Sequence, residues 1–279
     1  MDTARVKAYA KLNLTLHVTG EEGGFHTLDS LVTTVDLFDI IKVKKRRRDN
    51  LVAITMHGRG SEIIPPEQNN AVKAAERYIS RYGCTGADIT VYKNIPMQAG
   101  LGGSSADAAG VLNAMARLYP QEDAGGLKEL ADSLGSDTGY MLNGGYARLS
   151  GRGDKIQPLD ADLKLYYLLL LPPQGVSTAE CYKRCTIGAG NSDGAVQALL
   201  KGDMRALGKN FHNGLCAAAE SLNPDIAVAV RELEEFDPLG VNMTGSGSGV
   251  FAAFENADFR DYALSRYNGK FRCFALKTH

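Results

Sequence analysis

The chain has 279 residues, of which 44% are hydrophobic. This length suits one large domain or two smaller ones, and we expect two lobes. Its 31 basic and 32 acidic residues nearly cancel. Because no strong net charge draws the chain to nucleic acid or to an anionic membrane surface, the expected partner is a small molecule, with no nucleic acid and no membrane.

The cysteines and the first residues favour a cytoplasmic protein. Five cysteines are an odd number, and they show no paired metal-ligand spacing, which is typical of reduced thiols. The start MDTARVKAYAKLNL has no charged segment followed by an apolar one, and the longest apolar run, near 165–173, is far short of a membrane span. The expected localisation is therefore the cytoplasm.

The predicted elements begin with strands. Strict alternation of apolar and polar residues over 6–18 predicts one long strand, with Lys11 and Asn13 on its polar face. Extended segments follow near 28–43 and 51–56, and the basic run KVKKRRRDN lies between them. Because no aromatic residues interleave with that run, we interpret it as a solvated hairpin end rather than a phosphate contact.

Helices and strands then alternate. Apolar spacing predicts a helix over 69–82, a strand near 87–92, a second helix after residue 105, a third near 127–134, and an extended pair in MLNGGYARLSGRGDKI. The strand in LKLYYLLLLPP opens the second lobe, so the predicted domains are 1–160 and 161–279. That lobe has predicted strands at GVNMTG, GVFAAF and KFRCFAL, and predicted helices near 178–185, 194–200, 205–222 and 224–235.

The segment NIPMQAGLGGSSADAAG, residues 94–110, joins the strand at 87–92 to the next helix. It is not a Walker A loop, because no Gly-Lys-Ser/Thr follows, and Ser105 stands where a dinucleotide fingerprint needs its third glycine. Glycines allow close approach of a ligand, and a helix N-terminus attracts an anion. Ser104 and Ser105 could equally cap the helix, with Asp107 as capping-box partner, so a phosphate loop and a plain capped turn both stay open.

A second Gly/Ser segment, MTGSGSGVFAAF, places three glycines between two short apolar strands. A hairpin needs one or two glycines, so three indicate a close backbone approach. Three isolated polar residues also stand out, although each has an ordinary alternative as a solvated strand residue, a cap or a turn residue. They are Lys11, Asp137 in GSDTGY and His26 in GGFH.

Read together, AKLNLTLHVTG, PMQAGLGGSSADAAG and NMTGSGSGVF resemble, in order and separation, the three signature motifs of the GHMP kinases, a family of small-molecule phosphotransferases. The resemblance implies an α+β fold with a ribosomal-S5-domain-2-like N-terminal lobe and a ferredoxin-like C-terminal lobe. It also implies ATP and Mg²⁺ as cofactors. The residues that would bind ATP are Asn69, Pro96, Gly100, Leu101, Gly102, Gly103, Ser104 and Ser105.

The resemblance also assigns catalytic residues. Asp137 matches the family's aspartate, which accepts the proton of the substrate hydroxyl, and Lys11 matches its lysine partner, which balances charge on the phosphoryl group. Gly139 stands where the family has proline, and because proline fixes φ and glycine does not, the resemblance leaves the path of this loop undetermined. No metal ligand is assigned, because Mg²⁺ would be held largely by the phosphates.

Within the family, GGFH, EQNNAVKAA and GVSTAECY resemble members that act in isoprenoid biosynthesis on a small alcohol with a cytidine diphosphate moiety. The base would stack between two aromatic rings with a histidine at its edge. The residues that would bind substrate are Asn13, Phe25, His26, Tyr182, Gly245 and Gly247. Two alternatives stay open: a GHMP kinase for homoserine, threonine or mevalonate, and a non-catalytic nucleotide-binding module. We expect a monomer or a weak homodimer.

Overall fold

The computed structural model describes residues 2–58, 65–123 and 125–279, which form two compact units. Unit 1 consists of Met1–Ala10, Leu37–Pro96 and Gly102–Gly144, and unit 2 of Lys11–Asp36, Met97–Leu101 and Gly145–His279. Two strands, β1 (Thr3–Asn13) and β3 (Phe25–Lys45), contribute residues to both units. The predicted boundary near residue 160 stays a prediction.

Unit 1 combines strands with a helical layer. The end of β3 pairs antiparallel with β5 (Ala87–Tyr92), which pairs parallel with β4 (Val52–His57). A 3₁₀ turn, Pro66–Gln68, leads into the helices. These are α1 (Asn70–Tyr82), α2 (Gly103–Leu118), α3 (Gly126–Leu134) and α4 (Thr138–Met141). Helix α2 contacts the other three, and its alanine-rich surface lets them pack closely.

The first sheet of unit 2 surrounds the start of β3. There β3 pairs antiparallel with β2 (Thr15–Glu22) and with β6 (Ala147–Gly151), and β6 forms a hairpin with β7 (Lys155–Pro158). Strand β2 also pairs parallel with the two-residue strand β9 (His212–Asn213). Unit 2 also contains four short helices between residues 178 and 222: α5 (Thr178–Arg184), α6 (Asp193–Leu200), α7 (Met204–Lys209) and α8 (Cys216–Leu222).

The second sheet of unit 2 is antiparallel, in the order β10 (Gly240–Met243), β11 (Val250–Phe254), β8 (Tyr166–Leu171), β12 (Arg272–Lys277). Helix α9 (Asp225–Glu234) precedes β10, and α10 (Ala257–Arg266) joins β11 to β12. This chain order and strand order are those of a ferredoxin-like βαββαβ unit, as predicted.

An apolar core fixes the helices of unit 2 on the second sheet. Leu168, Leu170 and Phe254 of the sheet pack with Ile226 and Leu233 of α9, and all five are buried. Each such side chain contributes about 1.5–3 kcal/mol to folding. The cysteines are all free, as predicted. Within the described residues, every helix falls short of the length and apolar content needed to cross a bilayer.

Two predictions about the first strand are wrong. The predicted strand over 6–18 is divided into β1 and β2, because the chain turns at Leu14, whose amide donates to the carbonyl of Leu31 at 2.8 Å. Lys11 and Asn13 are also buried rather than solvated. The alternation ends at Ala10, after which every residue of β1 is buried.

The helix predicted over 205–222 is also wrong, since α7, β9 and α8 occupy that range. Strand β9 pairs with β2, with His212 opposite Thr15 and Asn213 opposite Leu16, and this pairing requires an extended backbone where a helix would continue. The sequence analysis missed α10 because Phe259 and Tyr262 are exposed and no apolar stripe marks the helix.

Candidate active site

The glycine-rich segment 94–110 ends in the first turns of α2, in unit 1. The N-cap of α2 is Gly102, whose φ of 70° is left-handed and which has no side chain to bond the first-turn amides. These amides and the helix dipole therefore suit an anion such as a phosphate. The predicted capping box is wrong, because Asp107 is buried and forms an ion pair with Lys93, with 2.7 Å between Oδ2 and Nζ.

The loop that carries Asp137 lies beside the start of α2. Asp137 is the N-cap of α4, and its carbonyl accepts the amide of Met141 at 3.0 Å. A Cβ built on Gly135 would lie 3.4 Å from Oγ1 of Thr138 and 4.0 Å from Oγ of Ser105. Unit 1 therefore brings the predicted catalytic segment to the predicted phosphate loop.

Gly139 occupies a helical position. It is the second residue of α4 and is buried. Asn113 of α2 donates to the carbonyl of Leu142 at 3.0 Å, which anchors the end of this turn. Because the first turn of a helix uses a φ that proline also adopts, glycine in place of the family's proline requires no different backbone path here.

Asn69 has a structural role in unit 1. Its Oδ1 accepts the amide of Ala71 at 2.9 Å, so it is the N-cap of α1, and its Nδ2 lies 3.0 Å from the sulfur of Met56. The side chain is buried. An N-cap of this kind typically contributes about 1 kcal/mol. Nucleotide contacts of Asn69 and of Pro96 stay predictions.

Two glycine-containing loops meet in unit 2. Thr244 Oγ1 donates to the carbonyl of Gly100 at 3.1 Å, and the amide of Gly249 donates to the carbonyl of Ala99 at 3.3 Å. A Cβ on Gly100 would lie 1.9 Å from the Thr244 carbonyl oxygen, and one on Gly245 would lie 2.8 Å from the Gly100 carbonyl oxygen. The close backbone approach predicted for residues 245–249 is therefore present, and its partner is segment 97–101.

The first motif joins the same two loops through Lys11 and Asn13. The Lys11 ammonium donates to Asn13 Oδ1, and the Lys11 amide donates to the Leu101 carbonyl at 3.1 Å. Asn13 Oδ1 also accepts the Gly245 amide at 3.0 Å, and the Asn13 amide donates to Thr244 Oγ1 at 3.1 Å. Residues of all three signature motifs therefore share one buried hydrogen-bond network.

Ser30 fixes the orientation of the Asn13 amide group. Asn13 Nδ2 lies 2.8 Å from Ser30 Oγ, and that hydroxyl donates its one proton to the carbonyl of Thr15 at 2.5 Å. The Ser30 oxygen must therefore accept from Nδ2, which turns Oδ1 toward Lys11 and Gly245. The sequence analysis missed Ser30, whose signal is a polar residue at a fully buried position of β3.

The predicted base-binding residues lie in unit 2. The rings of His26 and Tyr182 are in contact, with 5.2 Å between centroids and 35° between planes. Phe25, adjacent in the chain, exposes 57% of its surface, and the Arg152 guanidinium lies 4.7 Å from its ring centroid. An exposed aromatic face of this kind can stack on a base. The sequence analysis did not identify Arg152, which lies in the turn of the β6–β7 hairpin.

The basic run is tied into ion pairs in unit 1. Arg46 lies 2.6 Å from Asp49 and 2.7 Å from Asp88, and Arg47 pairs with Asp2. Solvent reaches these groups and screens their charges, so the ion pairs add little to stability. The run lies at the surface, as predicted, but the predicted hairpin is wrong, because β5 lies between β3 and β4 in the sheet.

Comparison with known proteins identifies the class of protein. Residues 69–147 match the model of the GHMP kinases N terminal domain, and residues 195–271 match that of the GHMP kinases C terminal domain. The chain belongs to the GHMP kinase family. The α+β fold expected from the three motifs is confirmed.

Similar proteins indicate which members of the GHMP kinase family this chain resembles. The 4-diphosphocytidyl-2-C-methyl-D-erythritol kinase of Clostridium kluyveri is 36% identical, with 90% of this chain and 91% of the relative covered. The protein of the same name from Caldicellulosiruptor saccharolyticus is 35% identical, with 90% and 88% covered. A crystal structure of 4-(cytidine 5'-diphospho)-2C-methyl-D-erythritol kinase matches with a TM-score of 0.83 at 29% identity, over 99% of this chain and 100% of that one. Homoserine kinase from Cytophaga hutchinsonii shares the fold, with a TM-score of 0.79 at 20% identity, over 100% and 95% of the two chains.

Gly100→Ala tests the close contact of the two loops. Gly83, at the end of α1, has a similar φ of 65° but open space around it, so Gly83→Ala should cost only the left-handed strain, about 1 kcal/mol. Gly100→Ala should cost about 1–3 kcal/mol more, because the new Cβ overlaps the Thr244 carbonyl. Urea denaturation measures both variants. If both variants lost the same free energy of unfolding, the close contact between Gly100 and Thr244 would be contradicted.

Ser30→Ala tests the orientation of Asn13. Without the hydroxyl, Nδ2 of Asn13 loses its buried acceptor and the amide can turn, so kcat should fall about tenfold with little change in the KM for ATP. The control is Thr33→Val, which removes another buried hydroxyl from the same strand, one that donates to the Thr34 carbonyl and interacts with the Tyr146 hydroxyl but does not contact Asn13 in the described residues. Steady-state kinetics and a melting curve distinguish them. A kcat unaffected by Ser30→Ala would show that the serine does not orient Lys11 through Asn13.

Proposed function

We propose that this kinase transfers the γ-phosphoryl group of ATP to the 2-hydroxyl of 4-diphosphocytidyl-2-C-methyl-D-erythritol, in the methylerythritol phosphate route to isoprenoids. The observation that carries the proposal is the buried network in which Lys11 and Asn13 join both glycine-containing loops of unit 2. Relatives that bear this kinase name, 33–36% identical over about nine-tenths of the chain, support the choice of substrate.

The start of α2 and the loop before it form the proposed ATP-phosphate site. ATP, when bound, supplies the phosphoryl group that is transferred. The first-turn amides of α2 bind phosphate oxygens, and the absence of a side chain at Gly102 leaves room for them. Mg²⁺ is the proposed divalent ion. We assign it no protein ligand, since in the described residues no three His, Cys, Asp or Glu side chains cluster suitably.

Lys11 and Asp137 carry the proposed chemistry. Asp137 accepts the proton of the attacking hydroxyl, and Lys11 is its charge partner, which balances negative charge on the phosphoryl group. Asn13 accepts one hydrogen bond from the Lys11 ammonium and so limits the directions in which the other two N–H groups point. Positioning and charge neutralisation of this kind account for most of the catalysis of phosphoryl transfer.

The cytidine end of the substrate is assigned to Phe25, His26 and Tyr182. The contact between the His26 and Tyr182 rings supports a base site there, with His26 at the base edge. Asn13, Gly245 and Gly247 contact the methylerythritol portion and the transferred phosphate. The enzyme acts in the cytoplasm, as a monomer or weak homodimer.

An ADP-release assay with ATP and Mg²⁺ tests the function. 4-diphosphocytidyl-2-C-methyl-D-erythritol should give ADP, whereas homoserine, threonine and mevalonate should not. Lys11→Ala and Asp137→Asn should lower kcat by about 10²–10⁴-fold, the range for loss of a general acid–base group. If only homoserine or mevalonate gave ADP, the proposed substrate would be wrong. If no alcohol gave ADP, the alternative of a non-catalytic nucleotide-binding module would be favoured.

Tyr182→Ala tests the base site separately. Loss of one stacking ring should raise the KM for the cytidine substrate and leave kcat and the KM for ATP nearly unchanged, because binding far from the reacting atoms is removed. Tyr262→Ala is the matched control, since Tyr262 is an exposed tyrosine on α10 outside every proposed site. An effect of Tyr182→Ala on kcat alone would contradict the stacking role.

A further inference from the structure

We propose that Asp107 is a positioning residue that holds a proton at neutral pH and so keeps a buried charge cluster neutral at the phosphate-binding end of α2. The cluster consists of Asp39, Lys93 and Asp107, all in unit 1. Loss of the proton should weaken nucleotide binding. This role rests on the ATP-phosphate site proposed above, which assigns the first turn of α2 to the nucleotide.

Two carboxylates share one ammonium group in this cluster. Lys93 Nζ donates to Asp107 Oδ2 at 2.7 Å and also to Asp39 Oδ2. The three side chains are almost fully enclosed, with exposures of 6% for Lys93, 0% for Asp39 and 6% for Asp107. If both carboxyls were ionised, the cluster would carry an uncompensated negative charge out of water, which is strongly unfavourable. One bound proton removes that charge.

The hydrogen bonds assign the proton to Asp107. Asp39 Oδ1 accepts the amides of Asn94 and Ile95 at 2.5 and 2.8 Å, and such bonds favour an ionised carboxylate. Asp107 Oδ1 is buried and has no hydrogen-bond partner among the described residues. The carboxyl with fewer donors, Asp107, is the one that gains less from ionisation.

The electrostatics point the same way. Burial raises the pKa of Asp107, Lys93 lowers it, and Asp39 raises it again by its charge and by hydrogen bonding, with a result of about 8. Burial lowers the pKa of Lys93, but the two carboxylates outweigh it and the pKa is raised, so the ammonium stays charged. Among the described residues, Lys93 and Asp39 are the charged groups whose charges act most on the pKa of Asp107.

The cluster lies against the first turn of α2. A Cβ built on Gly103 would lie 3.6 Å from Lys93 Nζ and 3.1 Å from Ile95 Cγ2. Asp107 itself lies one turn further along the helix, and its side chain points inward. A neutral cluster at this place does not oppose a phosphate, whereas a cluster with net negative charge repels it and offsets the helix dipole.

Calorimetric titration with ADP in excess Mg²⁺, without alcohol substrate, tests the role between pH 6.5 and 9.5. The wild-type Kd should rise about tenfold across this range, as expected for two linked binding events. Asp107→Asn mimics the protonated acid, so its Kd should match wild type at pH 7 and change much less with pH. Asp132→Asn, an acid of α3 that pairs with Lys128, is the control and should follow wild type.

Unfolding provides a second readout that needs no nucleotide. Because the folded pKa of Asp107 lies above its unfolded value, the stability that it contributes is complete at acidic pH and is lost as pH rises through about 8. The unfolding free energy of wild type should therefore fall more between pH 7 and 9 than that of Asp107→Asn. If that variant does not fold, carboxyl ¹³C NMR of the wild type decides: a resonance that titrates near pH 8 supports the proton, and aspartates that all titrate below pH 6 overturn it.

The outcomes separate this role from the proposed function. The same pH dependence of ADP affinity in wild type and Asp107→Asn overturns the role, even if the unfolding data detect the proton. No ADP binding by any variant at any pH overturns the ATP site and the role together. A pH dependence that Asp107→Asn removes and Asp132→Asn retains supports both.

Discussion

The backbone contact between segment 97–101 and the loop at Thr244–Gly249 is the constraint on which the rest of the site depends. The Gly100 backbone comes so close to the Thr244 carbonyl that no Cβ fits between them. Beside this contact, Asn13 Oδ1 accepts both the Gly245 amide and the Lys11 ammonium. The glycines therefore allow the close contact of the two loops beside Asn13, which accepts the ammonium of the proposed catalytic Lys11.

The sequence predicted most of the fold because most elements carry local signals. The β5 strand and helix α1 agree with their apolar periodicity to within a residue, and the ferredoxin-like order of β8–β12 agrees with the family resemblance. The failures occur where tertiary contacts override local pattern. The pairing of β9 with β2 interrupts a helix that periodicity alone would continue, and α10 has almost no apolar stripe to detect.

The sequence singled out candidate residues, whose roles stay predictions, but it did not indicate the interactions that these residues make in the structure. Lys11 and Asn13 lie on the face of a strand that alternation predicts to be solvated, and nothing local distinguishes them from surface residues. Both are nevertheless buried, and each also bonds a residue far away in the chain, Leu101 for Lys11 and Gly245 for Asn13. Asp107 fits a capping box equally well by spacing. Its actual partner, Lys93, lies on the preceding strand-to-helix connection, and no spacing rule within a helix can indicate that pair.

Burial explains why the polar side chains of the candidate site are held in defined orientations. A buried amide or ion pair costs free energy unless every donor and acceptor is satisfied, so each one fixes the geometry of its neighbours more strictly than an apolar contact would. Ser30 fixes the Asn13 amide, and that amide fixes the Lys11 ammonium. Asp107, one of whose oxygens has no hydrogen-bond partner among the described residues, is the group whose charge we propose changes with pH. A kinase binds highly charged phosphates, so the charge near its glycine-rich motif matters. Lys11 supplies a positive charge held in one orientation, and the proposed proton on Asp107 sets the negative charge according to pH.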